Sequence, residues 1–395
     1  MSHVPVDVGF VPLVDAAPLV VAREIGFAAE EGLELTLHRE ASWATQRDRL
    51  VWGQYQAAHM VAPMVVALSA GIGGLKAELD ALSVLSVNGS MIGVRPEMAD
   101  RMGAADLGFT DAAAVGEALA RTARGRLRIG VPFPYSMHAL LLGYWLNRPG
   151  QPLAHQLVVV PPPQMADAVA SGDIDIFCVG EPWGSVAVER GAADLLLPTK
   201  AIWQFAPEKV LAVRRDWAEA NPRVAEALVR AVWRAAKWIS ERGNIGVATE
   251  LLALDRYLGV PAEILERVLS GRIVVNGHGR VERVRRSVEF FDAAATFPWR
   301  SQALWIAEAL ARETGLPAGP LRDVARSCFR SDIYRAAVGP IGADLPGASE
   351  KLEGALQHRT EVASTLGRLI LGPDSFCDGR VFDPEDLAPV AGPAQ

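Results

Sequence analysis

The sequence predicts an α/β fold in two lobes with a ligand cleft between them. Strand-like apolar runs alternate with helix-like ones from the first residues onward, the pattern of βαβ units and a parallel sheet. The alternation comes in two series, separated by a long extended stretch at 82–94. With 395 residues, half of them hydrophobic, the chain carries enough apolar surface for two cores.

In the first series, strand-like runs at 6–12, 33–38 and 57–60 are followed by helical patterns at 16–31, 44–51 and 64–70. In the second, runs at 127–131, 157–160 and 174–179 each lead into a helix. A further apolar run at 210–214 marks a return to the first lobe near Lys209, and amphipathic helices are expected over 223–242 and 247–258. The expected organisation is a first lobe from residues 1–88 and 210–380, a second from 89–209, and a mobile tail over 381–395 rich in Pro, Gly, Asp and Ala. Two crossings, near Asn88 and near Lys209, would let the lobes close by hinge motion on a small ligand.

Composition excludes several function classes. The net charge of −7 argues against broad binding to a nucleic-acid backbone. The most apolar stretch, 60–75, is broken by Pro63 and three glycines, short of the roughly 20 apolar residues of a membrane span. The first residues show no basic region, apolar core or small-residue cleavage site, which predicts a cytoplasmic protein. Cys178, Cys328 and Cys377 are widely spaced and odd in number, so neither a disulfide framework nor paired metal ligands are expected. The seven histidines include no pair at i, i+4, and no metal or other cofactor is expected. Nucleophile-elbow, phosphate-loop and dinucleotide motifs are lacking, and Gly71-Ile-Gly-Gly74 has the wrong spacing for any of them.

The informative segments lie where strands give way to helices, because a helix N-terminus presents free N–H groups and partial positive charge to an anion. In Glu40-Ala-Ser-Trp-Ala-Thr-Gln-Arg-Asp48, Ser42 is suited to cap a helix, and Trp43 points either into a cleft or into the core. In Val131-Pro-Phe-Pro-Tyr-Ser-Met-His138, Ser136 can cap the next helix while His138 either meets a ligand or is an ordinary core or surface residue. In Cys178-Val-Gly-Glu-Pro-Trp-Gly184, Gly180 either lets a ligand approach the backbone or simply makes a turn, and Pro182 suits the first helical position. Lys209 stands just before an apolar strand and reads, by itself, as a surface lysine paired with Glu208.

These segments resemble the nitrate- and bicarbonate-binding receptor family of ABC transporters. The resemblance runs through Gly9-Phe-Val-Pro-Leu-Val-Asp-Ala-Ala-Pro-Leu-Val-Val-Ala22, Glu40-Ala-Ser-Trp43, Ala58-His-Met-Val-Ala-Pro-Met64, Ser86-Val-Asn-Gly89 and Pro161-Pro-Pro-Gln-Met165. It continues through Gly172-Asp-Ile-Asp-Ile-Phe-Cys-Val-Gly-Glu-Pro-Trp183, Pro207-Glu-Lys209 and Phe297-Pro-Trp-Arg-Ser-Gln-Ala-Leu-Trp305, covering residues 5–345. It implies a periplasmic-binding-protein-like fold of the second type and no catalytic role. The ligand-contacting positions it implies are Trp43, His138, Pro162, Val179, Gly180 and Lys209, with Ser90 where nitrate receptors often carry a longer amide and Met137 where a threonine is common.

A planar oxyanion suits that set: Lys209 supplies charge, His138 and backbone N–H groups donate, and Trp43 gives an apolar wall or an indole donor. Bicarbonate would also need an acceptor for its own O–H, so Lys209 favours nitrate or nitrite, although Glu208 stands beside it. Together with the expected cytoplasmic location, the resemblance points to the nitrate-sensor branch of the family. That branch implies a partner, an ANTAR-type RNA-binding antiterminator released when nitrate or nitrite binds. The alternative is the substrate-binding component of a nitrate or bicarbonate importer. An enzyme related to this fold makes a thiamine pyrimidine with a histidine and a cysteine-rich iron site, for which the isolated cysteines here are ill suited.

Overall fold

A computed structural model describes residues 3–147 and 153–386. The first series forms β1 (Val4–Phe10), β2 (Leu33–Arg39), β3 (Ala57–Val61) and β4 (Leu79–Asn88). The second forms β5 (Ser90–Val94), β6 (Leu127–Val131), β7 (His155–Val159), β8 (Ile176–Gly180) and β9 (Asp194–Pro198). β10 (Pro207–Arg214) follows, then a hairpin of β11 (Arg272–Val274) and β12 (Val281–Arg283), and β13 (Val288–Glu289). One sheet has the order β13-β4-β10-β3-β1-β2 and the other β7-β6-β8-β5-β9, giving two sheet-rich lobes.

The expected parallel sheets are mixed instead. β1 pairs in parallel with β2 and β3, and β6 with β7 and β8, as βαβ connections require. β10 is antiparallel to both β3 and β4, and β5 is antiparallel to both β8 and β9. The cause is the long extended run, which crosses from one sheet to the other: β4 ends at Asn88, β5 begins at Ser90, and the direction imposed by the first sheet is carried into the second. Asn88 and Gly89 at the crossing have φ of 59° and 97°. Glycine suits the second position on packing as well, since a Cβ there would lie 3.2 Å from the Val288 Cβ.

The return path runs alongside. Asn88 donates its backbone N–H to Ala206 O at 2.9 Å and its side-chain amide to Gln204 O at 2.7 Å. The two passages between sheets are therefore bonded to each other. β10 begins at Pro207, so Lys209 lies within the strand, not ahead of it, and it is wholly buried between β3 and β4. The reading of Lys209 as a surface residue is thus corrected: its strand is an inner one, covered by neighbours on both edges.

Other elements shift locally. The helix expected over 16–31 is two, Ala17–Glu24 and Phe27–Glu30, parted by Gly26 at φ 96°. The helix expected at 247–258 runs Ile245–Ala253, and β9 was not expected at all. Pro182 falls one residue before the helix Trp183–Glu189. No helix among the described residues is long and apolar enough to cross a membrane.

The later part of the chain packs on both sheets. β13 pairs with β4, while Leu195 of β9 donates to Val275 O at 2.7 Å. Beyond residue 370, Phe376 stacks on Trp203 with ring centroids 4.7 Å apart, and the Tyr144 hydroxyl donates to Asp378 at 2.7 Å. Of the tail expected to be mobile, Phe382 is tied to Glu353 by backbone hydrogen bonds in both directions, and 387–395 lie outside the described residues.

The join between sheets is tightly packed. Gly93 of β5 faces Phe177 of β8, and a Cβ on it would come within 2.8 Å of the Phe177 ring. Gly93→Ala should therefore overpack this core and lower stability by about 1–3 kcal/mol, read as a lower urea midpoint; an unchanged midpoint would show that the strand yields freely.

Candidate functional site

Where the two sheets meet, five ionisable side chains are buried together. Lys209 projects from β10, and its ammonium lies 2.9 Å from Glu208 Oε1 and 2.9 Å from Asp15 Oδ2. Asp15 sits in the tight turn Val14–Ala16 that follows β1, and its other oxygen lies 2.8 Å from His59 Nε2 on β3. From the second lobe, His138 in the first turn of the helix Met137–Leu146 brings Nδ1 to 3.4 Å from Glu208 Oε1. Its Nε2 lies 3.1 Å from the hydroxyl of Ser90, the first residue of β5. None of these five side chains is more than 3% exposed.

Local chemistry places the contributing elements. Ser42 accepts from Thr45 N and so starts the helix Trp43–Val51, and Ser136 accepts from Ala139 N at the head of the His138 helix. Trp43 is buried, its ring 5.4 Å from that of His59 and 5.5 Å from the Lys209 ammonium. Its indole N–H meets no acceptor among the described residues. Gly180 ends β8 opposite Ser90, and a Cβ there would lie 3.0 Å from Leu13 Cδ2 and 3.7 Å from Asp15 Oδ2, so the glycine admits the first lobe to the second. Val179 pairs with Met91 one residue earlier, and Pro162 is buried in the turn Pro162–Gln164 beyond β7.

Trp43, Ser90, His138, Gly180 and Lys209, predicted from sequence, are thus brought to one place, while Val179 and Pro162 offer no polar side chain to it. Asp15 and His59 were missed as site residues, and Glu208 was seen only as a neighbour of Lys209. A signal existed: each is a lone ionisable residue inside an apolar run, Leu13-Val14-Asp15-Ala16 and Ala57-Ala58-His59-Met60. Among the described residues no group of three His, Cys, Asp or Glu is placed to hold a metal ion.

The cleft is closed. Val14 N donates to Glu181 O at 2.8 Å, and the Trp183 indole donates to Pro12 O at 2.7 Å, both bonds joining the lobes. Burial works on every charge here. It would raise Asp15, but the attraction of Lys209 and His59 outweighs it and holds that carboxyl at about 2. Glu208 shares the same lysine yet is pushed up by burial, because it also faces the charge of Asp15 and lacks a comparably close histidine. Burial drives His138 well below its ordinary value, with Lys209 adding to the effect, and lowers His59 too, against the pull of Asp15. Burial would lower Lys209, but its two carboxylates reverse the sign and keep it charged.

The family model described as NMT1-like family matches residues 2–253. The chain belongs to the NMT1-like family. Relatives of this NMT1-like chain include the nitrate/nitrite binding protein NrtA of Synechococcus elongatus, 31% identical over 96% of this chain and 84% of that protein. The nitrate import ATP-binding protein NrtC of Synechocystis is 34% identical over 79% of this chain but only 46% of its own length. Among solved structures, the periplasmic nitrate-binding protein NrtA of Synechocystis PCC 6803 superposes with a TM-score of 0.82 at 28% identity, covering 97% of this chain and 96% of that one. The NMT1-like chain thus has the two-lobed periplasmic-binding-protein fold, and it is a binding protein, not an enzyme.

The Trp183 indole bond is the direct measure of closure. Trp183→Phe removes it and strands the Pro12 carbonyl, so ligand affinity should fall about threefold to tenfold, from the roughly 0.5–1.5 kcal/mol of one hydrogen bond. Scattering should show a more open molecule, and an unchanged radius with unchanged affinity would mean that other contacts hold the lobes.

Proposed function

We propose that this chain binds nitrate or nitrite between its lobes, at the cluster of Lys209, His138, Trp43, Ser90 and Gly180. The observation that carries this reading is the fully buried Lys209, which meets His138 of the other lobe through a shared partner, Glu208 Oε1. A buried cation beside an indole N–H without an acceptor is a site suited to an anion rich in acceptor oxygens. The names of the relatives, nitrate/nitrite binding proteins, support the choice of ligand. Pro162 and Val179 belong to the proposed site as backbone and apolar lining.

The test is a titration of the purified protein with nitrate, nitrite, bicarbonate, sulfate and an alkanesulfonate, read by thermal shift and calorimetry. Stabilisation by nitrate or nitrite is expected, and indifference to every oxyanion would overturn the reading. Lys209→Ala should weaken nitrate binding at least about tenfold, since a charge-assisted hydrogen bond contributes about 1.5–3 kcal/mol. An unchanged dissociation constant in that variant would remove Lys209 from the site.

For the biological role, the reading is a cytoplasmic nitrate/nitrite sensor that holds an ANTAR-type RNA-binding antiterminator and releases it on binding the anion. Its support is the resemblance to the sensor branch. A second support is that a unit like this chain makes up about half of an ATP-binding import protein, and ATP is consumed on the cytoplasmic side. By linkage, a partner that prefers the open lobes weakens anion binding by the same factor as the anion weakens partner binding. The second reading, delivery of the anion to an importer, is favoured by the similarity to NrtA over most of both chains. Co-purification from the native cell with and without nitrate separates them. Loss of a soluble RNA-binding partner on adding nitrate supports the sensor, and capture of a membrane permease supports delivery.

A further inference from the structure

The charges in the cleft do not balance for an incoming anion. Lys209 is the one lysine or arginine of the cluster, with Asp15 and Glu208 both 2.9 Å from its ammonium, and burial disfavours the charged forms of His59 and His138. With both carboxylates ionised and both rings neutral the cluster carries one net negative charge, and a monoanion would make it two in a place shielded from solvent. Like charges that close in a low-dielectric site cannot both persist, and the usual resolution is protonation of one group. Asp15 is a poor candidate, its two oxygens lying 2.8 Å from His59 Nε2 and 2.9 Å from the Lys209 ammonium, whose attraction keeps its carboxyl low.

Glu208 is the group placed to accept the proton. Its Oε1 takes the bond from Lys209 and lies 3.4 Å from His138 Nδ1, while its Oε2 and that Nδ1 have no hydrogen-bond partner among the described residues. The groups facing it are Lys209 on its own strand, Asp15 from the turn after β1, His138 from the second-lobe helix and Cys178 on β8, whose thiol burial keeps protonated. Protonation also converts Glu208 from an acceptor into a donor, and nitrate offers acceptor oxygens only.

We propose that Glu208 sets the charge state the cleft accepts: the monoanion binds together with one proton, which Glu208 and His138 hold between them. This rests on the cleft being an oxyanion site, and it deepens that reading by naming the residue that makes the site electrically able to take the ion. The proton belongs to the pair and not to either residue alone. The sign follows from linkage. Above the pKa of the pair in the free protein, binding must draw a proton from solvent, so affinity falls with rising pH; below it the proton is already present and affinity levels off.

The experiment is calorimetry of the wild-type protein with sodium nitrate, in buffers of different ionisation enthalpy. Over about pH 5–9 the dissociation constant is expected to be flat below the pair's pKa and to rise towards about tenfold per pH unit above it, where about one proton is taken up per nitrate. Glu208→Gln, which carries its donor at every pH, should abolish the uptake and flatten the profile. Nitrate binding with no proton uptake and a flat profile throughout about pH 5–9 would overturn the proposal while leaving the anion site standing. Absence of nitrate binding at every pH would instead overturn the site itself. Should Glu208→Gln fail to fold, the wild-type proton count still decides.

Discussion

An ammonium group with none of its surface in water must be compensated where it stands, and in this protein the compensation for Lys209 comes from the turn after β1 and from its own strand. The cost of withdrawing such a charge from solvent is several kcal/mol, recovered only if its partners are close and well bonded. Two carboxylates at 2.9 Å meet that condition, and they fix much else in turn. Asp15 orients His59, His59 packs on Trp43, and Glu208 reaches towards His138 across the lobe boundary. The cluster therefore links β1, β3, β10 and the Trp43 helix of one lobe to the His138 helix of the other. Its arrangement is a packing constraint shared by both lobes.

The lobes meet at this cluster because the chain crosses between them beside it. Ser90 opens β5 one residue after the break at Gly89, and Lys209 stands in β10 shortly after the return. The cluster is thus close in space to the two passages between the sheets. Val14 and Pro12 meet Glu181 and Trp183, so backbone and indole hydrogen bonds join the lobes beside the buried charges. This coupling gives a ligand a means of shifting the balance between open and closed forms, since it gains contacts from both lobes only when they are together.

The parts of the molecule legible in the sequence are those governed by local chemistry. Ser42 and Ser136 declared helix starts because a hydroxyl before a helix satisfies a backbone N–H three residues on, whatever the rest of the fold does. The two series of strands were visible for the same reason. Strand direction was not, because whether β5 and β10 run with or against their neighbours depends on how a single extended run is divided between sheets. β9 was lost because its apolar core is only Leu195-Leu196-Leu197, between Asp194 and Pro198. At the site, Asp15 and His59 owe their role to partners 44 and 194 residues away in β3 and β10, a relation no local pattern encodes. The pairing of Lys209 with Glu208 was legible, but its burial was not, since that follows from β10 lying between β3 and β4.

The return passage carries one more consequence. Trp203 lies in it, fully buried, its ring 4.7 Å from both Trp305 and Phe376, with Tyr144 of the second lobe against the same aromatic group. A tryptophan pair this close exchanges excitation, and its emission depends on ring separation and on the polarity around it. Any rotation of one lobe against the other passes through the backbone on which Trp203 is carried. Trp203 thus couples the return passage to an aromatic group drawn from both lobes and from the late part of the chain.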